Sequence, residues 1–550
     1  MIRTTSESGV AATATDGQHP GEGLTHRQIL VVFTGLMMGL LLAALDQTIV
    51  ATALPTIVGQ LHGLNRLTWV VTSYLLTSTA STPLYGKLSD LYGRRRIFQF
   101  AIVVFLIGSA LAGLSQNINE LIVTRGLQGI GAGGLMTLAM AIVGDVVPPR
   151  QRGRYQGYFT SVFAAASVAG PLIGGFFVQH LSWRWIFYVN VPIGVVALVV
   201  TSAVLKMEFP RRDHVIDYLG SLLMVVAVSC LLLVTVWGGN TYSWTSAEVL
   251  VTGGVGIGFG VAFVFRERRA PEPIIPLRLF SNSVFTVCNV AGFIMGTAMF
   301  GVIVFLPLYL QLVKGVSPTV SGLLLLPVMG GLLVSSILSG RAISAIGRYR
   351  MFAVVGTATA AVGILALTTL GVDTNQAVMS LELLVLGVGI GMSMPVLTIA
   401  VQNGVSWRDM GTATASVNFF RSLGGSIGTA AFGAVLVDRL SANLARDVPA
   451  GVLAHLPGGK TITGSPASVH KLAPAVQAPV LHAFTQSLDT VFICAVPLMA
   501  LAFILSLFLK DVRLRDSVGD DGHAVQTSAA SFLLEGAVDY ADEELPGAVS

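Results

Sequence analysis

Four ionisable side chains, Asp46, Arg125, Glu382 and Arg421, lie inside long apolar runs of this 550-residue chain. A charge in hydrocarbon is expensive, roughly 2.5 kcal/mol or more at the bilayer centre, so each marks a place where chemistry or pairing repays it. A carboxyl at Asp46 can bind and release a proton. Burial disfavours its charged form and a nearby guanidinium favours it, and Arg125 is the candidate for that modulating cation. Glu382 stands at a similar depth in the second half of the chain and is the third proton-coupling candidate. The competing accounts are a purely structural Asp46–Arg125 ion pair and a Glu382 that snorkels to the surface. Arg421, near mid-membrane, suits either an anionic substrate or a bridge between helices. With Gln47, Met38, Met136 and Met299 it makes up the candidate substrate contacts, since methionines furnish adaptable apolar walls.

The second candidate is a turn, Gly86-Lys87-Leu88-Ser89-Asp90-Leu91-Tyr92-Gly93-Arg94-Arg95-Arg96, one acid among four cations between two apolar runs. Here Gly86, Asp90, Gly93, Arg94 and Arg95 are assigned to a cytoplasmic gate. An echo follows at Gly340-Arg341-Ala342-Ile343-Ser344-Ala345-Ile346-Gly347-Arg348-Tyr349-Arg350, with Ser344 where Asp90 stands. Only the first copy can form an acid-mediated latch. The third is Gly170-Pro171-Leu172-Ile173-Gly174-Gly175, where proline kinks a helix and Ala166, Gly170 and Gly174 leave a four-spaced groove. Gly170, Pro171 and Gly174 are read as a hinge.

These residues need membrane helices to hold them. The chain is 53% hydrophobic and 11% charged with mean hydropathy +0.76, which excludes a soluble globular class. Fourteen apolar runs, from about 29–54 to about 490–509, are long enough to span a bilayer. Alternate loops carry Lys87 and Arg94 to Arg96; Arg150, Arg152 and Arg154; Lys206, Arg211 and Arg212; Arg266, Arg268, Arg269 and Arg278; Arg341, Arg348 and Arg350; and Arg408. The opposite short loops hold only Arg66, Arg184 and Lys314, so both termini are expected in the cytoplasm. Small residues place the candidate charges inside the bundle. Gly35, Gly39 and Ala43 run toward Asp46, and Arg125, Gly129 and Gly133 share one face. The tract Trp183 to Asn190 reads as an aromatic anchor at the outer surface.

The chain also repeats. Ala53-Leu54-Pro55 matches Phe305-Leu306-Pro307, and Gly129, Gly131 and Gly133 match Gly387, Gly389 and Gly391. Six spans plus six therefore correspond, leaving spans 7 and 8 as an inserted pair. The expected fold is an all-α polytopic membrane protein of fourteen transmembrane helices. Its parts are a cytoplasmic tail at 1–28 without a cleavable signal, a six-helix bundle at 29–205, and a linking region with the inserted pair at 206–283. A second bundle follows at 284–509, with a long external loop at 438–489 and a short helix near Val480–Phe484, and then an acidic tail at 510–550. Cys230, Cys288 and Cys494 lie in apolar runs and suggest neither disulfides nor a metal site. No nucleotide loop or nucleophile–base pattern is present, so no enzyme activity and no cofactor are expected, and an ion gradient is left as the energy source.

Taken together the motifs resemble the major facilitator superfamily, in particular its fourteen-span drug:proton antiporter branch of the EmrB/QacA type. Gly86 to Arg96 resembles the loop 2–3 signature, and Leu45-Asp46-Gln47-Thr48-Ile49-Val50-Ala51-Thr52-Ala53-Leu54-Pro55 the span 1 signature, which usually carries Asn where Ala51 stands. Arg125-Gly126-Leu127-Gln128-Gly129 resembles the span 4 motif linked to proton transfer, Gly170-Pro171 with Gly174-Gly175 the span 5 antiporter motif, and Trp183 to Pro192 another tract of this branch. The resemblance implies two bundles rocking about a central path. It implies proton-coupled multidrug export of amphipathic, often cationic compounds across a bacterial plasma membrane, with small molecules, protons and lipid as partners and no nucleic acid. A dedicated exporter of one metabolite or lipid, a proton-coupled importer, and a channel or sensor are the alternatives.

Overall fold

The computed structural model describes residues 26–61, 67–147, 149–204, 217–238, 242–316, 318–406, 409–448 and 474–514. Arg66, Lys206, Arg211, Arg212, Arg408, most of both expected tails and the middle of the expected external loop lie outside those ranges. The described residues form fourteen membrane-length helices. The first six are α1 (His26–Gln60), α2 (Leu67–Tyr92), α3 (Arg94–Leu114), α4 (Ile118–Val146), α5 (Pro149–His180) and α6 (Asn190–Val204), the last entered through a short turn of helix at Trp185–Tyr188. The inserted pair is α7 (Tyr218–Trp237) and α8 (Ala247–Glu267). The final six are α9 (Ser283–Ile303, resuming at Leu306–Leu312), α10 (Pro318–Leu324, then Leu326–Ile346), α11 (Arg350–Leu367), α12 (Gln376–Gly404), α13 (Met410–Asp447) and α14 (Pro474–Leu507).

Thirteen of these are apolar enough to be recognised as spans by composition, and α2 is the fourteenth. Its hydroxyls explain the gap. Thr77 Oγ1 donates to the Ser73 carbonyl at 2.9 Å and to the Gly126 carbonyl of α4 at 2.7 Å, and Ser81 Oγ reaches the Ile130 carbonyl at 3.2 Å. A polar side chain that bonds a helix backbone is tolerated in lipid and fastens two helices together.

Each half builds its own core. Buried residues of α1 to α6 pack around Leu36, Phe98, Phe105 and Leu135 toward the basic end, and around Ile49, Ile57, Leu121 and Phe187 toward the other. The final six helices share one core through Phe285, Met295, Leu386, Ile399 and Phe492. The glycine repeat is realised in space. A Cβ at Gly129 or Gly133 would meet the α2 backbone at Tyr74 and Ser78, and one at Gly387 or Gly391 would meet the α10 backbone at Val328 and Leu332. The halves differ at their prolines: Leu306-Pro307 restarts a helix, whereas α1 continues past Pro55 to Gln60.

Two expectations are corrected. α13 runs on to Asp447 and α14 begins at Pro474, so Val480–Phe484 belongs to a long final helix rather than to a separate one inside the loop. The two extensions carry the second half's core outward through Leu444, Val480 and Phe484, and Asn443 Nδ2 donates to Ser487 Oγ at 3.0 Å and an Arg446 amino group to Gln486. The tract after Ser182 is only partly an aromatic belt. Trp185 is exposed, but Trp183, Ile186 and Phe187 are buried in the first half's core, because the short Trp185–Tyr188 helix folds them inward.

Candidate functional site

Asp46 is fully buried, and its two oxygens are held from three directions. Arg125 of α4 donates to Oδ2 at 2.6 Å. Gln128, one turn along α4, donates to Oδ1 at 2.8 Å, and Asn190, the first residue of α6, donates to the same oxygen at 3.0 Å. Arg125 also donates to Gln128 Oε1 at 2.7 Å and lies over the Tyr74 ring at 4.2 Å, which ties α2 into the cluster. Asn190 Nδ2 reaches Ser109 Oγ of α3 at 3.0 Å, and Ser109 donates to the Phe187 carbonyl at 2.8 Å. Five helices thus meet at one carboxylate. An ion pair this deep repays its desolvation only with further hydrogen bonds, and here the Gln128 and Asn190 amides supply them on the carboxylate side, while Arg125 Nε has no partner among the described residues. A proton added to this carboxyl would cancel the charge that Arg125, Gln128 and Asn190 hold, and so weaken the tie of α1 to α4 and α6.

The packing beside Asp46 is equally close. Thr48 Oγ1 donates to the Ala166 carbonyl of α5 at 2.9 Å. A Cβ on Gly170 would run into Thr48, and Gly174 faces the Ile49 carbonyl, so α5 lies against the Asp46 segment with no room for a side chain. α5 continues as one helix across Gly170-Pro171.

A second charged cluster sits at the basic end, which the positive-inside rule assigns to the cytoplasm. Gly93 breaks α2 from α3 with φ of 92°, a conformation glycine adopts without strain, and this sharp turn brings Asp90 and Arg94 into an ion pair. Arg94 Nε donates to the buried Asp145 of α4 at 2.6 Å, and Ser89 Oγ receives another of its amino groups. The other Asp90 oxygen crosses to the second half. It accepts from the Thr412 backbone N–H at 3.0 Å and from Thr412 Oγ1 at 2.9 Å, in the first turn of α13. Gly86 packs on Gly411 and Ala415, and Arg95 donates to the Ser202 carbonyl of α6 at 2.8 Å. Further seams run alongside: Gly153 meets Gly340 backbone to backbone, Thr160 Oγ1 lies 3.0 Å from Ser336 Oγ, and Gln402 Nε2 donates to the Met140 carbonyl at 3.3 Å. The two halves are therefore latched together at their basic ends.

The family model described as Major Facilitator Superfamily matches residues 36–429. The chain belongs to the Major Facilitator Superfamily. An uncharacterised MFS-type transporter of Mycobacterium tuberculosis is 44% identical over 494 residues, 89% of this chain and 71% of that protein. The multidrug transporter protein MdtP of Bacillus subtilis is 37% identical over 531 residues, 92% of this chain and 98% of that one. Among solved structures, the proton:xylose symporter XylE aligns with a TM-score of 0.58 at 14% identity, covering 90% of this chain and 98% of the other, a likeness of fold.

Within this superfamily member the remaining candidates are scattered. Glu382 is buried in α12 and accepts from Thr369 Oγ1 at 2.9 Å, near the start of its helix and on the side of α11. It is not part of the Asp46 cluster. Gln47 is exposed. Met38 and Met136 are half-buried against the first core, and Met299 against the second. Arg421 is half-buried, donating to Asn418 Oδ1 at 2.5 Å and approaching the Met394 sulfur at 4.0 Å.

Four partners escaped the reading from sequence: Asn190, Asp145 and Thr412, together with Gln128, which was quoted in a motif without a role. Asn190 and Asp145 carried a signal, being a polar amide at the mouth of an apolar run and an acid five residues before the Arg150, Arg152, Arg154 cluster. Thr412 carried none, because its part depends on the packing of the two halves.

Proposed function

We propose that this carrier is a proton-coupled antiporter of a bacterial plasma membrane, exporting amphipathic organic compounds from the cytoplasm by alternating access. The single observation carrying the reading is the buried Asp46 carboxylate held jointly by Arg125, Gln128 and Asn190. A proton arriving there competes with the donors that fasten α1 to α4 and α6. Protonation thereby weakens the hold between these helices, which links proton binding to helix rearrangement. The Asp90–Thr412 latch holds the cytoplasmic side shut in the present state, and its opening admits cargo. MdtP being a multidrug transporter supports a broad cargo. Glu382, with one oxygen lacking a hydrogen-bond partner among the described residues, is proposed as an auxiliary proton site in the second half.

Inverted membrane vesicles test this. With an acidic lumen, a cationic dye such as ethidium and an anionic one such as fluorescein are offered outside at equal starting concentrations. Uphill accumulation that a protonophore abolishes is the expected result for at least one dye. Equilibration without accumulation would indicate a channel, and extrusion from the vesicle an importer.

A further inference from the structure

Asp46 is charge-paired with Arg125, and Asp90 and Asp145 with Arg94. Glu382 lies on the side of α11, away from the first half. Arg421 differs from all of them. Among the described residues it has no acidic partner, and it sits about 17 Å along α13 from Met410, at a rise of 1.5 Å per residue, roughly half way through a 30 Å hydrocarbon core.

Its direction can be read from its neighbours. Thr414, Asn418 and Arg421 fall on one helix face, at spacings of four and three. Thr414 accepts from Gln402 Nε2 at 3.2 Å, and the same Gln402 amide donates to the Met140 carbonyl of the first half. Asn418 is buried and reaches Met140 Sδ at 3.6 Å. This face of α13 therefore looks across the central seam at α4, and Arg421 extends it one turn further from the latched end. Its guanidinium spends one amino group on a neutral amide and another on a distant thioether, leaving most of its five donors open. Met394 and Asn418 touch it, and Met140 lies against the Asn418 amide, so the wall beside the guanidinium is adaptable and carries one polar group.

We infer that Arg421 is an anion-recognising site on the transport path, selecting amphipaths that carry a carboxylate, sulfonate or phosphate. This deepens the export reading above and rests on it for the meaning of transport, though not for binding. A fork of donors without a counter-charge in a low-dielectric seam is matched by a bidentate oxyanion, and a cation placed there meets repulsion. The cargo is thus anionic or zwitterionic, in contrast to the cationic class that the motif resemblance implies.

Binding to the purified full-length transporter is measured by fluorescence polarisation with two xanthene dyes, fluorescein as the anion and rhodamine 6G as the cation. The wild type is expected to bind fluorescein. Arg421→Gln should weaken fluorescein about ten-fold or more, in line with the loss of a charged hydrogen bond of roughly 1.5–3 kcal/mol, while rhodamine 6G changes less than about two-fold. Arg421→Lys keeps the charge without the fork and should lose about three-fold for the anion alone; it decides the matter if the Gln variant does not elute as a monodisperse species. An equal loss for both dyes would make Arg421 a helix bridge and overturn the inference, as would a wild type that binds rhodamine 6G but not fluorescein, or neither. Failure of the export reading shows separately, as absence of gradient-driven accumulation in vesicles by a protein that still binds fluorescein.

Discussion

The carboxylate of Asp90 accepts two hydrogen bonds from Thr412, one from its backbone and one from its hydroxyl, across the boundary between the halves. Thr412 lies in the first turn of α13, where backbone N–H groups have no partner within the helix and the positive end of the dipole favours an acid. Asp90 serves as a helix cap supplied by the opposite bundle, and Arg94 keeps it aimed. A cap in trans exists only while the basic ends are together, so it stabilises one state of the alternation.

Asp90→Asn should leave the protein in the membrane and slow transport. Charged hydrogen bonds contribute roughly 1.5–3 kcal/mol each against about 1 for neutral ones, so the latched state should lose about ten-fold in population. Thr412→Val removes the hydroxyl but not the N–H, and a smaller loss is expected. Transport rate per unit of membrane-inserted protein is the measurement; wild-type rates in Asp90→Asn would remove the latch from the mechanism.

Asp145→Asn tests the anchor of that latch. Asp145 is fully buried and holds Arg94 Nε, so its neutralisation leaves a buried guanidinium with Asp90 as its one remaining acid partner among the described residues. The pull on Asp90 then competes with Thr412. Expected are a several-fold slower turnover and a lower melting temperature than for Asp90→Asn, since breaking a buried pair costs about 3–5 kcal/mol. Thermal unfolding of the purified protein alongside dye transport distinguishes the two.

Much of this was readable in advance. Period-independent apolar length is enough to count helices, and Gly129 and Gly133 recur as Gly387 and Gly391 because two helices can touch backbone to backbone only at small residues. Asp46 and Arg125 stood out because charge in hydrocarbon is rare. What stayed hidden depends on distance in sequence. Thr412 is an ordinary residue until α13 is placed against α2, and Asn190 looks like an interface residue until α6 turns it onto Asp46. The reach of α14 back to Pro474 was missed because Ala475 to Gln486 is less apolar than the span that follows, and its partner is the equally polar extension of α13.

Gly170→Ala should impair transport sharply. The added methyl would collide with Thr48 two residues from Asp46 and push α5 from α1. Removing the obstacle should restore part of the loss, so the Thr48→Ala and Gly170→Ala double variant is expected to transport better than Gly170→Ala alone. Additive defects would show that the two positions are not coupled. Pro171→Ala in the same helix should lower turnover more than substrate affinity, read as a split between rate and half-saturating dye concentration.

Asp46→Asn is the decisive variant for coupling. Asparagine keeps the size of the side chain and mimics a carboxyl that never gives up its proton. It also turns one oxygen into a donor, so either Arg125 or the Gln128 and Asn190 amides lose their acceptor. Uphill accumulation driven by a pH gradient should fall to background, while dye movement down its own gradient survives, since the halves can still rock. Asp46→Glu should retain a fraction of coupled transport. Asn190→Ala removes the tie from α6 to the carboxylate and should slow coupled transport several-fold while uphill accumulation persists. The direct measurement is substrate-induced proton release from purified protein in weak buffer. Wild type should release protons on addition of a bound dye and Asp46→Asn should not. If the Asn variant still releases them and still pumps uphill, proton binding belongs elsewhere, and Glu382→Gln is the next variant to measure.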